Sequence, residues 1–309
     1  MMKINKSVIT GVVCMAFGFY ACNNDDDGGG AEEIRDAAEV AVENDAAIVE
    51  YLETHFYNYE EFSSPPADFD FQIDLDTIAG ENAGKTPLIE QVITQTILVP
   101  DRNDNDITYR YYVLNAREGI GQQPTIADSA FAKIRGVLLD GTVFENQTTS
   151  LWYDLIGTRS AGNPGTVRGF AEAMTEFKAG GEPIDNGDGT FTVNDFGVGA
   201  FFIPSGLGFF ANTTATIPSY SPLIFKVQLL AVNTADHDND TIPSILEDVD
   251  GDGNPLNDDT DGDRVPNYLD FDDDNDGVRT SEEYDRNGDG IPDDSDGDGT
   301  PDYLDENVR

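Results

Sequence analysis

The last quarter of the chain cannot fold by burying apolar surface. From Asp236 to Arg309 it holds 27 acidic residues against four arginines and no lysine, so about half of the net charge of −43 sits there. Ordering each residue costs about 1–2 kcal/mol, and the sparse large apolar residues, among them Ile242, Leu246, Tyr268 and Phe271, cannot offset that alone. The acids are patterned, however. Asp-x-Asp-x-Asp/Asn triplets begin at Asp236, Asp248, Asp259, Asp272, Asp285 and Asp294, in steps of 12, 11, 13, 13 and 9 residues, which marks an internal repeat.

Spelled out, the triplets are Asp236/Asp238/Asp240, Asp248/Asp250/Asp252, Asp259/Asp261/Asp263, Asp272/Asp274/Asp276, Asp285/Asn287/Asp289 and Asp294/Asp296/Asp298. The stretch Asp272 to Glu283, DDDNDGVRTSEE, fits the calcium-loop template, with Asp at positions 1, 3 and 5, Gly at 6 and Glu at 12. Glu247, Asp270 and Asp305 take the twelfth place of three other loops. Calcium takes six to eight hard oxygens, and alternate carboxylates on a tight loop present them from one side. The expectation is several structural calcium ions whose binding energy becomes folding energy. The flanking helices of an EF-hand are missing, and IPS, VPNYLD, IPDD and TPDYLD recur in their place. In this, residues 234–309 resemble thrombospondin type 3 repeats, which implies a calcium-loop region lacking regular structure. Removing calcium is then expected to expand this region while hardly affecting what precedes it. A disordered acidic tail would not keep a loop template. Nucleic acid is excluded as a partner for so anionic a chain.

At the other end, Met1 to Ala21 carries Lys3 and Lys6, an apolar run from Val8 to Tyr20, and then Ala21-Cys22. That is a secretory signal peptide over 1–21, too short to span a membrane. Cys22 after a small residue resembles a bacterial lipoprotein processing site, with Phe19 where such sites usually carry Leu, and implies a lipid anchor at Cys22. The run from Asn23 to Asp27 resembles the acidic export tag of Bacteroidetes surface lipoproteins, and Gly28 to Gly30 complete a flexible tether over 22–30. The expectation is an outer-membrane lipoprotein exposed at the cell surface, meeting the membrane only through its lipid, with the periplasmic side as the alternative. Cys14 lies inside the signal peptide, so the mature chain would form no disulfide.

Between these ends, residues 31–62 alternate acids with Ile34, Val42, Ile48 and Leu52, an amphipathic helix with a break expected near Asn44-Asp45. Residues 63–116 read as a linker, an edge strand over 69–78, and strands over 86–100 and 108–116. AKIRGVLLDGTVFE at 132–145 is two strands joined by an Asp140-Gly141 hairpin turn. One short helix is predicted over 166–178, where Val167, Phe170, Met174 and Phe177 share a face between Gly/Pro breaks. Strands at 200–204 and 222–232 enclose an aromatic loop. Residues 182–199 read as an inserted hairpin turning at 186–189, expected to enlarge the rim of a nearby site or to be decoration.

The order strand, DG turn, Phe-acid, strand, helix, strand, aromatic loop, strand resembles FKBP-type peptidyl-prolyl isomerases over residues 117–233. GVLLDGTVFEN, LWYDLIG, TVRGFAEAMTEFKAGG, FFIPSGLGF and TIPSYSPLIFKVQLL carry the resemblance. It implies an α+β fold in which an antiparallel sheet wraps on a single short helix. It also implies that Phe144, Trp152, Val167, Phe170, Ile217 and Phe225 line a prolyl pocket. The Val167 N–H would hold the substrate carbonyl, and Thr166 would lend its backbone to the rim. Three positions depart from the family pattern: Glu145 replaces an Asp, Ile134 a Tyr, and Phe209 a Tyr whose hydroxyl bonds the substrate. A lost hydrogen bond of about 0.5–1.5 kcal/mol weakens binding by about tenfold at most.

Prolyl isomerisation breaks no bond. Its barrier of roughly 18–20 kcal/mol is lost amide resonance, so a dry aromatic pocket that prefers the twisted, less polar amide suffices and catalysis needs no cofactor. Proline-containing polypeptides are the expected partners, and help in folding exported proteins the expected function. A non-catalytic binding or adhesion module on the same scaffold is the alternative. His55 and His237 are the only histidines, and no Ser/His/Asp or Cys/His centre can be assembled from them.

Overall fold

The computed structural model describes residues 34–158 and 163–309. The signal peptide, Cys22 and the acidic tether lie outside the described residues. Helix α1 (Ala37–Thr54) starts where Asp36 caps the Glu39 N–H at 2.9 Å. It leads into a small ribbon, β1 (His55–Tyr57) paired with β2 (Leu75–Thr77), with the short α2 (Tyr59–Ser63) between them. Strands β3 (Ile93–Pro100), β4 (Asp106–Arg117), β5 (Ser129–Leu138), β6 (Val143–Asn146) and β7 (Leu151–Asp154) follow. Then come α3 (Arg168–Met174), the hairpin β8 (Ile184–Asp185) and β9 (Phe191–Thr192), β10 (Gly197–Ile203) and β11 (Leu223–Asn233). The main sheet is antiparallel in the order β3-β4-β10-β11-β5-β6, with β7 also pairing β5. It begins at Ile93, so β3 and β4 belong to the body that the sequence reading starts at 117.

Strand alternation gives the sheet two apolar faces. Phe225, Val227 and Leu229 of β11 point to one side and Ile224 to the other. On the first side α3 lays Phe170 and Met174 against Phe201, Ile203 and Phe225. On the second, α1 lays Ile48 and Leu52 against Tyr112, Leu114, Phe202 and Ile224. Burying such a side chain stabilises by about 1.5–3 kcal/mol, which is what holds α3, whose seven residues are too few for an isolated helix. The architecture is α+β, an antiparallel sheet wrapped on one short helix, with an N-terminal helix across its back.

Several local expectations shift. Helix α1 runs through Asn44-Asp45 without a break, because that polar pair finds tertiary partners. Asn44 Oδ1 accepts the Ser205 N–H at 2.7 Å and its amide donates to Tyr220 O at 3.1 Å. Asp45 accepts the Tyr112 hydroxyl at 2.8 Å and pairs with Arg110 at 3.3 Å. The edge strand expected over 69–78 shrinks to β2, since Phe71 adopts φ +57 and the Gln228 side chain occupies the carbonyls of Asp70 and Phe71. The helix expected over 166–178 forms as α3 and continues to Phe177 through looser turns with N···O of 3.2 Å. The Asp140-Gly141 turn forms as expected, with Gly141 at φ +86. The inserted hairpin β8–β9 is anchored away from the aromatic cluster. Its base is tied by Gly180 N–H to Leu230 O at 3.0 Å and Gly181 N–H to Asn194 O at 2.9 Å, five residues along β11 from Phe225 or roughly 16 Å of strand. Beyond Asn233, regular structure is limited to α4 (Thr280–Glu283) and short 3-10 turns.

Candidate functional sites: an aromatic cluster and acidic loops

Phe225 is the hub of the ring cluster at the start of α3. It meets Phe144 and Phe170 edge-on at 5.3 and 5.2 Å and stacks on Phe201 at 5.1 Å. Gly136 on β5 makes room for this, since a Cβ there would come within 2.2 Å of the Phe144 ring. Val167 precedes α3 in extended conformation, and its carbonyl accepts from the N–H groups of Phe170 and Ala171. Among the described residues its own N–H has no partner. Thr166 donates both its N–H and its hydroxyl to Leu155 O, at 3.1 and 2.9 Å, which fixes the approach to the helix. Ile217 is buried and Phe209 packs on the cluster, both from the loop 204–222. That loop is pinned by Asn44 and by Tyr220, whose N–H donates to Phe210 O at 2.6 Å.

Trp152 does not join them. It is 50% exposed and packs on Phe131 at 5.1 Å, because the register pairs Phe131 with Trp152 and Ala130 with Tyr153. Tyr153 takes the inward place, 5.6 Å from Phe170. Its hydroxyl is buried with no hydrogen-bond partner, and burial, with Glu145 nearby, raises its pKa. Glu145 accepts the Gln147 amide at 2.7 Å. Ile134 is a core residue. The signal for Tyr153 was a second aromatic beside Trp152, and the order of motifs did not say which of the two faces inward.

The acidic loops share one wiring. The first carboxylate accepts the N–H five residues on: Asp236 from Thr241, Asp248 from Gly253, Asp259 from Arg264, Asp285 from Gly290 and Asp294 from Gly299, at 2.7–3.2 Å. The fifth accepts the N–H two residues on, as Asp240 does from Ile242, Asp263 from Val265, Asp276 from Val278, Asp289 from Ile291 and Asp298 from Thr300. Five all-Asp triplets bring one oxygen from each residue within 4.8 Å of one another. Asn287 replaces the middle acid of the remaining set, the fifth in chain order, and its Oδ1 accepts the Asp289 N–H at 2.9 Å. Asp236, Asp238, Asp240, Asp248, Asp272 and Asp274 each keep a buried oxygen with no hydrogen-bond partner, and that of Asp276 has only an ion pair, with Arg309 at 3.3 Å. Convergent hard oxygens of this kind fit calcium.

The twelfth positions also converge. Glu247 feels Asp238 and Asp240, Asp270 feels Asp263 and Asp261, and Glu283 feels Asp276 and Asp274. Asp305 is buried and accepts the Asn307 N–H at 3.0 Å. In the second loop an acid missed by the template, Asp258 at position 11, accepts from Val249 and Asp250 at 2.9 and 3.1 Å and keeps its other oxygen buried. Burial, with like charges adding, pushes Glu247 up to about 10, Asp238 to about 8 and Glu283 to about 7. A divalent cation among them would remove that repulsion.

The loops and the sheet are not independent bodies. Tyr268 is fully buried in the same core as Phe170, and its hydroxyl donates to Gly157 O at 3.1 Å. Its ring meets His237 edge-on at 5.3 Å. His237 Nε2 lies 3.2 Å from Asp154, whose carboxyl, despite its burial, is held low by His237, the Gly157 N–H and Asn163. Arg168, the first residue of α3, donates to Asn254 at 2.8 Å and pairs with Glu172 at 2.6 Å.

Among the described residues no helix is long and apolar enough to cross a membrane. The BamM C-terminal family matches residues 237–291. No curated protein matches the chain closely enough to count as a relative. Among solved structures, a peptidyl-prolyl cis-trans isomerase from Pseudomonas syringae pv. tomato is 20% identical, over 40% of this chain and 75% of that one, with a TM-score of 0.31. FkpA from Escherichia coli is 18% identical over 63% of this chain and 62% of its own, with a TM-score of 0.32. The N-terminal domain of FKBP42 from Arabidopsis thaliana is 13% identical over 40% and 86%, with a TM-score of 0.30.

Proposed function

We propose that the chain is a peptidyl-prolyl cis-trans isomerase, held at the outer membrane by a lipid on Cys22, that assists exported proteins in folding and carries calcium-bound loops as a structural stalk. The observation that carries the catalytic part is the Val167 N–H, which among the described residues has no partner, at the edge of the ring cluster centred on Phe225. That N–H donates to the peptide carbonyl, the proline ring meets Phe144, Phe170 and Phe225, and the Tyr153 hydroxyl is a second donor on the Glu145 side. The rings exclude water and so favour the twisted amide over the planar one. No proton moves. The loop carboxylates would hold calcium, which supplies charge neutralisation and loop closure and takes no part in the reaction. The match of 237–291 is a hint of outer-membrane association and supports the location that Cys22 suggests.

The test is a protease-coupled assay on an Ala-Pro peptide, with calcium and with chelator. Wild-type protein that turns over no Xaa-Pro peptide ends the enzymatic reading. The anchor is tested separately: Cys22→Ser should release the protein or leave it unprocessed, whereas Cys14→Ser should leave anchoring intact. A second reading, a binding module without turnover, is favoured by the tightness of the cluster, where Phe170 and Phe225 are 3% and 7% exposed. It is favoured also by a hollow of about 320 Å³ on the other face of the sheet, lined by Lys133, Arg135 and Lys226. Peptide binding without isomerisation is its expected outcome.

A further inference from the structure

Asp273 stands at the second position of the fourth loop, which the Asp-x-Asp template leaves unassigned. The other loops have His237, Val249, Thr260, Arg286 and Ser295 there. Asp273 is 2% exposed, and both its carboxylate oxygens are buried without a hydrogen-bond partner. Its own loop reaches it through Thr280, whose hydroxyl accepts the Asp273 N–H at 3.0 Å. The charges that act on it most are Asp240 and Asp238 of the first loop, and it acts in turn on Glu247. The chain path allows this, because the turn Ser244–Glu247 packs against the turn Asn267–Leu269 just before the fourth loop.

The oxygen count separates this place from the other loops. Asp236, Asp238 and Asp240 contribute one buried unpartnered oxygen each, Glu247 two and Asp273 two, seven in all. Seven lies within the six to eight that calcium takes, with Glu247 and Asp273 each able to bind through both oxygens. The fourth loop's own set is partly satisfied by cations of the chain, since Glu283 pairs with Arg286 at 2.8 Å and Asp276 with Arg309 at 3.3 Å. Among the described residues no lysine or arginine pairs with the first loop's acids.

We infer that Asp273 is a ligand of the cation held by Asp236, Asp238, Asp240 and Glu247, so that one calcium-type ion ties the first loop to the fourth across more than thirty residues of sequence. The inference rests on the reading of the loops as calcium sites. It makes the acidic region a cross-braced unit rather than a string of separate beads. Removing the ligand from loop four then weakens a site whose template residues all lie in loop one.

The experiment uses the mature chain and Asp273→Asn, with Asp289→Asn as a control in another loop. Calcium titration by calorimetry gives the number and strength of sites, and terbium emission reads the cross-braced site through Tyr303, which lies within electrostatic reach of Asp273, Glu247 and Asp240. D273N is expected to weaken one site at least tenfold and to lose the Tyr303-sensitised terbium signal, while D289N keeps that signal. Because D273N replaces a buried carboxyl that has no hydrogen-bond partner, it is also expected to resist protease better than wild type in chelator and worse in calcium. That crossing of the two curves is read even if one calorimetric site is too weak to resolve. D273N with wild-type stoichiometry, affinity and terbium emission overturns the inference while leaving the calcium loops in place. Wild-type protein that binds no calcium removes the underlying reading itself.

Discussion

A tyrosine hydroxyl buried without a partner costs about 1–3 kcal/mol, and Tyr153 holds one beside the rings of the proposed pocket. Tyr153→Phe is therefore expected to leave stability unchanged or higher and to lower kcat/KM about two- to tenfold, the worth of one neutral hydrogen bond to substrate. Loss of stability with unchanged turnover would show that the hydroxyl serves the fold instead. Phe225→Ala should lower kcat/KM at least tenfold, and since it also opens a cavity costing about 3–5 kcal/mol, circular dichroism must confirm folding. Trp152→Ala, half exposed on the far side of β7, should change activity little, as surface substitutions stay within about 0.5 kcal/mol. The meeting of Phe170 and Phe225 was legible from motif order because a helix and a long strand fix their facing. The Trp152/Tyr153 choice was not, since β7 has only four residues and a one-residue slip inverts every side chain.

Among the elements, α1 was readable as an amphipathic helix, but its purpose was not, because Asn44 finds its partners 161 and 176 residues away. Asn44→Ala leaves the Ser205 N–H and Tyr220 O without partners, and about 1–3 kcal/mol of local stability should go with them. Amide exchange at Ser205 should speed up accordingly; unchanged exchange would mean that α1 docks through Ile48 and Leu52 alone. The loops respond to pH with a definite sign. Without calcium, burial and like charge raise Asp238 to about 8 and Glu247 to about 10, against about 4 in an unfolded chain. The folded loops then hold more protons than the unfolded chain between about pH 4 and 8, so stability falls as pH rises through that window. Calcium reverses the trend, because its ligands must be deprotonated. In chelator, protease resistance of residues 236–309 should drop from pH 5 to pH 8, and in calcium it should not.

At the scale of the whole molecule, the acidic region was legible from spacing as a series of repeated Asp loops, yet its attachment to the sheet was not. Tyr268 and Tyr303 occupy equivalent places in VPNYLD and TPDYLD, and nothing local marks Tyr268 as the one that donates to Gly157. That contact changes what calcium removal should do. Tyr268 sits between Asp259/Asp261/Asp263 and Asp270, the proposed ligands of the third loop, and its ring joins the core that holds Phe170. A cation ordering this loop would therefore also hold residues 154–157 and 163–167, which lead into α3 and carry the proposed substrate-binding N–H. The sequence alone suggests that chelation spares the sheet domain; the structure leads to the opposite expectation. Chelator should accelerate amide exchange over 154–157 and 163–170 and lower isomerase activity severalfold, while the ribbon β1–β2, packed in the other apolar cluster, keeps its protection. Tyr268→Ala should reproduce both effects in the presence of calcium, since losing a buried aromatic costs about 3–5 kcal/mol and uncouples the seam without touching a carboxylate. Tyr268→Phe, which keeps the ring and loses only the bond to Gly157, should fall between. Equal exchange at 163–170 with calcium, with chelator and in Tyr268→Ala would mean that the loops lie against the domain without supporting it.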